Sequence, residues 1–184
     1  MKAVLDANVL YPTILREILI AVAQAGLYVP LWSARILDEW RHAAARLGPD
    51  QESIASSEIA LLREAFSAAQ MPDDGQRAID LDLPDPSDRH VIEAALAGDA
   101  DMVVTANLRD FPRYVMHPLG LRAIHPDAFL LQFHQADTLA VFDAAQRAHD
   151  KAIRMGGQMS LEDMLKRSRL PRLAKALKAK APKG

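Results

Sequence analysis

Short apolar segments alternate with amphipathic segments along most of this 184-residue chain. Strands are predicted at Lys2–Leu5, Leu27–Leu31, Arg77–Leu81, Asp101–Thr105 and Leu121–Ile124. Strands that alternate with helices favour a parallel sheet, because each helical crossover returns the chain to the same end of the sheet. The sequence therefore predicts an α/β fold with a central parallel sheet of about five strands.

The ends of the helices between these strands are marked by capping and breaking residues. An amphipathic segment at Thr13–Ala25 stops at a glycine, and Ser33 is placed to cap the next helix. A further helix is predicted at 51–70, and another begins near Pro86 and ends at Gly98. Beyond about residue 126 every remaining signal is helical. We predict one α/β domain over residues 1–134 and a helical extension over residues 135–184.

The composition excludes several classes of protein. Cysteine is absent, so disulfides, thiolate metal sites and cysteine nucleophiles cannot occur. No run of about 18 apolar residues is present, and the amino terminus lacks an apolar leader followed by a cleavage site. We therefore expect a cytoplasmic protein without a membrane span.

The charge is distributed unevenly. Residues 151–184 contain ten Lys and Arg against two acids, whereas residues 1–150 contain 12 basic and 22 acidic residues. A basic tail on an acidic body fits a nucleic acid or an acidic protein partner. It also fits a solvated helix surface, and charge alone does not separate these interpretations.

Three acids fall where a functional site is expected. Asp6 ends the first strand, and in open α/β sheets the functional crevice lies outside the carboxyl ends of the strands. Glu39 shares a helical stripe with Ile36, Ala43 and Leu47, and Asp88 shares one with Val91, Ile92 and Ala95. A carboxylate that points inward is costly unless it is paired or bound to a metal. Each acid also has a structural interpretation, as a turn residue, a solvated helix residue or a helix cap.

Carboxylates gathered in one crevice favour a bound cation. Each close pair repels by about 4 kcal/mol at 4 Å with an effective dielectric near 20. Oxygen-only ligand sets suit Mg²⁺ or Mn²⁺, and such a site can activate water against a phosphodiester without a protein nucleophile.

The sequence resembles the PIN-domain family, and more narrowly the VapC-like toxin ribonucleases. The resemblance rests on VLDANVL at 4–10, ILDEW at 36–40, DPSDRHVIEAAL at 85–96 and VVTANLRDF at 103–111, and covers roughly residues 1–134. It implies a three-layer α/β/α fold, a PIN-like nuclease domain followed by the helical basic extension. It further implies RNA cleavage with Mg²⁺ or Mn²⁺, a small antitoxin as partner, and an arrangement compatible with a homodimer.

The resemblance also implies roles for individual residues. The catalytic acids would be Asp6, Glu39, Asp88 and Asp110, of which Asp6, Asp88 and Asp110 would hold the metal, and Thr105, Asn107 and Asp85 would support the site. Asn107 stands where many PIN domains carry an acid, which puts a second metal in doubt more than the first. The N-cap interpretation of Asp85 is preferred over a ligand role.

Two other functions stay open from the sequence. A PIN fold that has lost turnover would act as an RNA- or protein-binding module, and Asn107 favours this alternative. A phosphatase with an aspartyl-phosphate intermediate also has an acid after the first strand, but it requires a second Asp where this chain has Asn8. His42 and His90, each following an Arg, are predicted to face solvent rather than substrate phosphate.

Overall fold

The computed structural model describes residues 1–180, and a five-stranded parallel sheet organises the first part of the chain. The strand order is β3-β2-β1-β4-β5, and all four neighbouring pairs are parallel. The strands are β1 (Lys2–Leu5), β2 (Val29–Ser33), β3 (Gln70–Met71), β4 (Met102–Val104) and β5 (Arg122–Ile124). The predicted α/β class and the predicted number of strands are confirmed.

Helices occupy most of the remaining chain. Within the described residues they are α1 (Ala7–Leu10), α2 (Thr13–Gln24), α3 (Ala34–Ala45), α4 (Pro49–Ala65), α5 (Arg89–Ala97), α6 (Arg113–Met116), α7 (Pro126–Ala136), α8 (Thr138–Arg154), α9 (Leu161–Arg167) and α10 (Pro171–Lys180). The predicted cap is confirmed at α3, where the Ser33 hydroxyl accepts the N–H of Ile36 at 3.2 Å. Leu47, predicted on the apolar stripe of that helix, lies beyond its end and is 67% exposed.

The predicted third strand at Arg77–Leu81 is wrong. The main-chain N–H groups of Arg77 and Ala78 donate to the carboxylate of Glu93, at 2.8 and 2.7 Å to its Oε2. These donors are therefore engaged by a side chain rather than by a neighbouring strand. The third strand is instead the two-residue β3, which pairs with the end of β2 and begins at Gln70, the last residue of the predicted helix.

Contacts within the chain divide it into two compact units. The first contains Met1–Tyr11 and Tyr28–Ile124, and the second contains Pro12–Leu27 and the residues from His125 onward. The second unit therefore includes α2, although α2 lies in the amino-terminal part of the chain. The predicted division after residue 134 stays a prediction, and residues 181–184 of the predicted extension lie outside the described residues.

The first unit is built on the central strand β1. Ala3, Val4 and Leu5 have no exposed surface, and β1 pairs with β2 on one side and β4 on the other. Leu5 is in register with Val104, so the residues that follow, Asp6 and Thr105, emerge at the same edge of the sheet. The register therefore brings together two polar residues 99 positions apart.

The second unit is helical, and its basic end is folded. The apolar residues interleaved with the basic ones are buried, namely Leu165, Leu170, Leu173 and Leu177. The buried carboxylate of Asp127 accepts the N–H groups of Arg172 and Leu173 at 3.0 and 2.9 Å, which satisfies the amino-terminal end of α10. Within residues 1–180 no helix combines the length and apolar character needed to cross a membrane.

Candidate active site

Asp6 lies at the carboxyl end of β1 and is almost fully buried, with 6% of its surface exposed. Its main-chain N–H extends the sheet ladder by donating to Val104 at 3.1 Å. Its carboxylate accepts the Thr105 hydroxyl at 2.7 Å and the side-chain amide of Asn8. The sheet thus holds the backbone of Asp6, while two polar side chains hold its carboxylate in one orientation.

Asn8 connects this acid to the loop that follows β4. Its Oδ1 accepts the N–H of Ala106 at 2.9 Å, while its amide also donates to Thr105 Oγ1 at 3.0 Å. The N–H of Asn107 donates to the same hydroxyl oxygen at 3.0 Å. A hydroxyl that accepts these bonds has its own proton directed at Asp6, so the network orients Thr105 as a donor to the acid.

Burial raises the pKa of the Asp6 carboxyl above its usual value. The hydrogen bonds from Thr105 and from the N–H of Ala7 lower the pKa but do not cancel the desolvation, and the charge of Glu39 raises it further. A bound cation would remove this penalty by stabilising the charged form.

Asp88 occupies the N-cap position of α5 but caps no N–H with its side chain. Its pKa is raised to about 7, first because partial burial strips its carboxylate of water and then because the charges of Asp6, Asp110 and Asp85 repel its own. An acid at a helix N-terminus is ordinarily stabilised by the helix dipole. Desolvation and repulsion outweigh that effect and the favourable charge of His90, so the protein compensates the charge of Asp88 only in part.

Asp85 acts as a cap. Its carboxylate accepts the N–H of Ser87 at 2.9 Å, which starts the short 3₁₀ turn Pro86–Asp88, and this bonding lowers its pKa. Asp85 therefore has the geometry of an N-cap residue, as the N-cap interpretation requires. Its contribution to the acidic site is limited to the repulsion of Asp88.

Glu39 projects from α3 and is paired with two basic groups. Its Oε1 lies 2.9 Å from His90 Nε2 and 3.3 Å from Arg35 Nε. Partial burial would raise the pKa of Glu39, but the hydrogen bonds and charges of His90 and Arg35 outweigh it and hold the pKa below its usual value. Glu39 is thus held as an anion near Asp6, whose pKa its charge raises.

His90 departs from the sequence prediction, which had it facing solvent. Only 3% of its side chain is exposed, because it is the second residue of α5 and lies among buried neighbours. A histidine followed by the apolar residues Val91 and Ile92 was the available signal, but its partner Glu39 comes from a distant helix. Asn8 was likewise missed as a site residue, although it lies two residues after Asp6.

Asp110 lies in the loop after β4 and is half-buried. Its carboxylate accepts the side-chain amide of Asn107. The charge of Asp110 raises the pKa of Asp88, so it belongs electrostatically to the same cluster. The charges of Asp6 and Asp110 therefore raise the pKa of Asp88, and the charge of Glu39 raises the pKa of Asp6.

The donor set suits a hard divalent cation by its chemistry. All four acids offer only oxygen, and two of them have raised pKa values that a cation would relieve. Within residues 1–180 no three Asp, Glu or His side chains are gathered closely enough to hold a metal ion together. Mg²⁺ commonly uses one or two carboxylates and completes its shell with water and phosphate oxygens. Asp6 and Asp88 fit that mode of binding.

Comparison with known proteins places this arrangement in a family. A model of the PIN domain matches residues 2–109, which span β1, α3, α5 and β4 with all the acids except Asp110. The chain belongs to the PIN domain family. This match confirms the predicted PIN-like α/β/α fold, and together with the relative described next it confirms the resemblance to VapC-like PIN domains.

The chain is similar to "Putative ribonuclease VapC50" from Mycobacterium tuberculosis (strain ATCC 25618 / H37Rv). It is 41% identical over 61 residues, and the match covers 33% of this chain and 33% of the relative. The similarity thus spans about a third of each protein. No solved structure matches the chain significantly.

Proposed function

We propose that this protein is an endoribonuclease that depends on Mg²⁺ or Mn²⁺ and forms the toxin of a type II toxin–antitoxin pair. The observation that carries the proposal is the position of Asp6, which is buried at the carboxyl end of β1 with its carboxylate held by Thr105 at 2.7 Å, and whose charge, with that of Asp110, repels Asp88. Strongly perturbed acids cluster at functional sites, because a purely structural site would pair or neutralise them. Membership of the PIN domain family and the name of the relative support hydrolysis of RNA.

Asp6 and Asp88 would hold the cation, and Asp110 would hold it directly or through water. When bound, the cation supplies charge neutralisation at the scissile phosphate and lowers the pKa of a coordinated water. The donor chemistry favours one well-formed cation site, and Asn107 at the fourth acidic position argues against an equally strong second site.

The chain's own residues would then orient the reactants. Thr105 and Asn8 fix the carboxylate of Asp6, and His90 and Arg35 hold Glu39 as an anion. An anionic carboxylate beside the site is able to accept a proton from the attacking water as general base. The RNA backbone would be attracted by exposed basic residues, a salt-sensitive effect that is independent of sequence.

The test is cleavage of mixed cellular RNA by the purified full-length chain, with Mn²⁺ or with a chelator. We expect cleavage with Mn²⁺, none with the chelator, and none by Asp6→Asn. The matched control is Asp38→Asn, since Asp38 neighbours Glu39 but has a side chain that is 58% exposed and forms an ion pair with Arg41. Equal cleavage by Asp6→Asn, or no cleavage by the wild-type protein, would contradict the proposal.

The proposed partner is a small antitoxin protein, and the proposed site of action is the cytoplasm. The basic surface of the second unit, which includes Arg167, Arg169, Arg172 and Lys175, offers an acidic antitoxin segment a binding face. Co-expression with the product of the adjacent reading frame should yield a complex that no longer cleaves RNA. The proposed homodimer is tested by the mass of the isolated chain in solution.

A second candidate function is that of a PIN-fold binding module without turnover. The hydrogen bond from the side chain of Asn107 to Asp110 favours this function. Asn107 stands where many PIN domains carry an acid, and its amide occupies the carboxylate of Asp110. Calorimetric titration with Mn²⁺ separates the two functions. Heat that disappears in Asp88→Asn supports the nuclease, whereas no binding to the wild-type protein supports the module.

A further inference from the structure

A pocket in the first unit is lined in part by the loop that carries Asn107 and Asp110. Its volume is 580 Å³, which is within the range typical of ligand sites. Leu108 and Arg109 line it and stand between those two polar residues in sequence. A ligand in the pocket would therefore be held by the same short loop that presents Asp110.

The inner wall of the pocket is apolar. Phe111, Met116 and Leu121 line it and are 2%, 1% and 6% exposed, and Pro112 lies among them. These residues come from the loop after β4, from α6 and from the start of β5, and so form a wall that is part of the folded core. Leu108, which also lines the pocket, is 44% exposed, so its side chain provides apolar surface over this wall that a ring such as a nucleobase can contact.

The mouth of the pocket is basic. Arg109, Arg113, His117 and Arg122 line it and are all exposed. Among the described residues no Asp or Glu lines the pocket, and none of the three arginines forms an ion pair with a described carboxylate. Unpaired arginines around an apolar wall are complementary to a ligand with a ring and an adjoining phosphate.

We propose that this pocket binds one nucleotide of the RNA strand next to the cleaved bond, with the base against Leu108 and the phosphate at Arg109 and Arg113. The proposal rests on the proposed nuclease function, because it assigns the pocket a part of that substrate. An acidic peptide would also satisfy the arginines, but it would leave the apolar wall without a ring to contact.

The test uses Asp6→Asn as the parent, so that RNA binds without being cut. Fluorescence anisotropy would give the affinity for a short labelled oligoribonucleotide of mixed sequence. We expect Ala123→Leu, which fills the pocket without changing charge, to weaken binding about tenfold, as expected for the loss of one base contact. We expect Arg113→Gln to lower the slope of log affinity against log salt by about 0.7, the contribution of one phosphate on a single strand.

Two controls make the result specific. Arg46→Gln changes an exposed arginine at the end of α3, outside the pocket, and should leave affinity unchanged. An abasic oligonucleotide of the same length should bind the parent more weakly than RNA does. It should bind the parent and Ala123→Leu with the same affinity. Circular dichroism would establish that each variant is folded.

The proposal is overturned if Ala123→Leu and Arg113→Gln bind RNA as the parent does, or if the parent shows no affinity for the oligoribonucleotide. It is also overturned if the abasic strand binds as tightly as RNA. Failure of the nuclease proposal gives a different result, in which the wild-type protein cuts no RNA while the pocket variants still weaken binding.

Discussion

Helix α5 carries two carboxylates in opposite surroundings, Asp88 at its N-cap and Glu93 in its middle. Glu93 has no exposed surface, but it accepts the N–H groups of Arg77 and Ala78 and the guanidinium of Arg77 at 2.9 Å. Asp88 is half-buried, caps no helix N–H, and has its pKa raised to about 7. The more deeply buried acid is therefore the better satisfied one.

The comparison shows that burial alone does not identify a functional acid. Glu93 ties the loop before α5 to the helix, so its charge is used in the fold. The charges of Asp6, Asp110 and Asp85 repel that of Asp88, and the favourable charge of His90 does not offset this repulsion and the loss of water. Substitutions at the two positions should therefore affect different properties.

Asp88→Asn should produce the largest effect, a fall in RNA cleavage of about a thousandfold, because a divalent cation contributes several kcal/mol to such a reaction. The melting temperature should stay the same or rise, since repulsion among the acids is removed. Initial cleavage rates with Mn²⁺ and a thermal melt would measure both quantities. Asp38→Asn serves as the control. If Asp88→Asn cleaved RNA as fast as Asp38→Asn does, Asp88 would not be part of the active site.

Glu93→Gln should have the converse effect and destabilise the fold. Hydrogen bonds to a charged group contribute about 1.5–3 kcal/mol each, so we expect a loss of about 2 kcal/mol or more. That corresponds to a fall of about 4–8 °C in melting temperature for a chain of this size. The exposed Glu64→Gln is the matched control. If Asp88→Asn lowered the melting temperature as much as Glu93→Gln, the contrast between the two acids would be lost.

Asp6 and Asp88 show how much of the candidate site can be predicted from the sequence. The position of Asp6 was predictable, because an apolar strand directly precedes it and the carboxyl ends of parallel strands meet at one edge. Asp88 is predicted to point inward from its spacing to Val91 and Ile92, which are fully buried. Both predictions depend on residues that are close in sequence, and such local patterns can be detected in a single sequence.

The errors concern partners that are distant in sequence. The segment 77–81 was predicted as a strand because nothing near it indicates that Glu93, 16 residues after Arg77, binds its N–H groups. His90 was assigned to solvent because its partner Glu39 lies on another helix. The strand β3 was missed because two residues are too few to show alternation.

His90→Gln should reduce cleavage by a smaller factor, about tenfold, because it removes the closer of the two basic partners of Glu39. Arg35→Gln is the comparison variant, since Arg35 is more exposed and its Nε lies farther from the same oxygen, at 3.3 Å. Its loss should be smaller. The kcat and KM for RNA and the apparent affinity for Mn²⁺ would be measured for both variants. If the two variants lost the same amount of cleavage activity, burial of His90 would not strengthen its interaction with Glu39.

The smallest expected effect is a dependence of stability on pH that Asp88→Asn abolishes. The folded pKa of Asp88 is raised to about 7 from 3.8, so the folded state holds its proton at pH values where the unfolded chain has released it. Asp88 therefore contributes stability that is fully present below about pH 4 and is lost as the pH rises through about 7. Because the side chain is half-exposed, solvent screening should reduce this contribution to about 1 kcal/mol.

Urea denaturation of both proteins across this range, with a chelator present, would measure the difference in their free energies of unfolding. Asp6 also has a raised pKa, but it is present in both proteins, so its contribution largely cancels in the difference. We expect the wild-type protein to lose stability relative to Asp88→Asn as the pH rises, and added Mg²⁺ to restore it. A difference that stayed constant with pH would mean that Asp88 is as well compensated as Glu93. In that case, repulsion within the acidic cluster would no longer support a cation site.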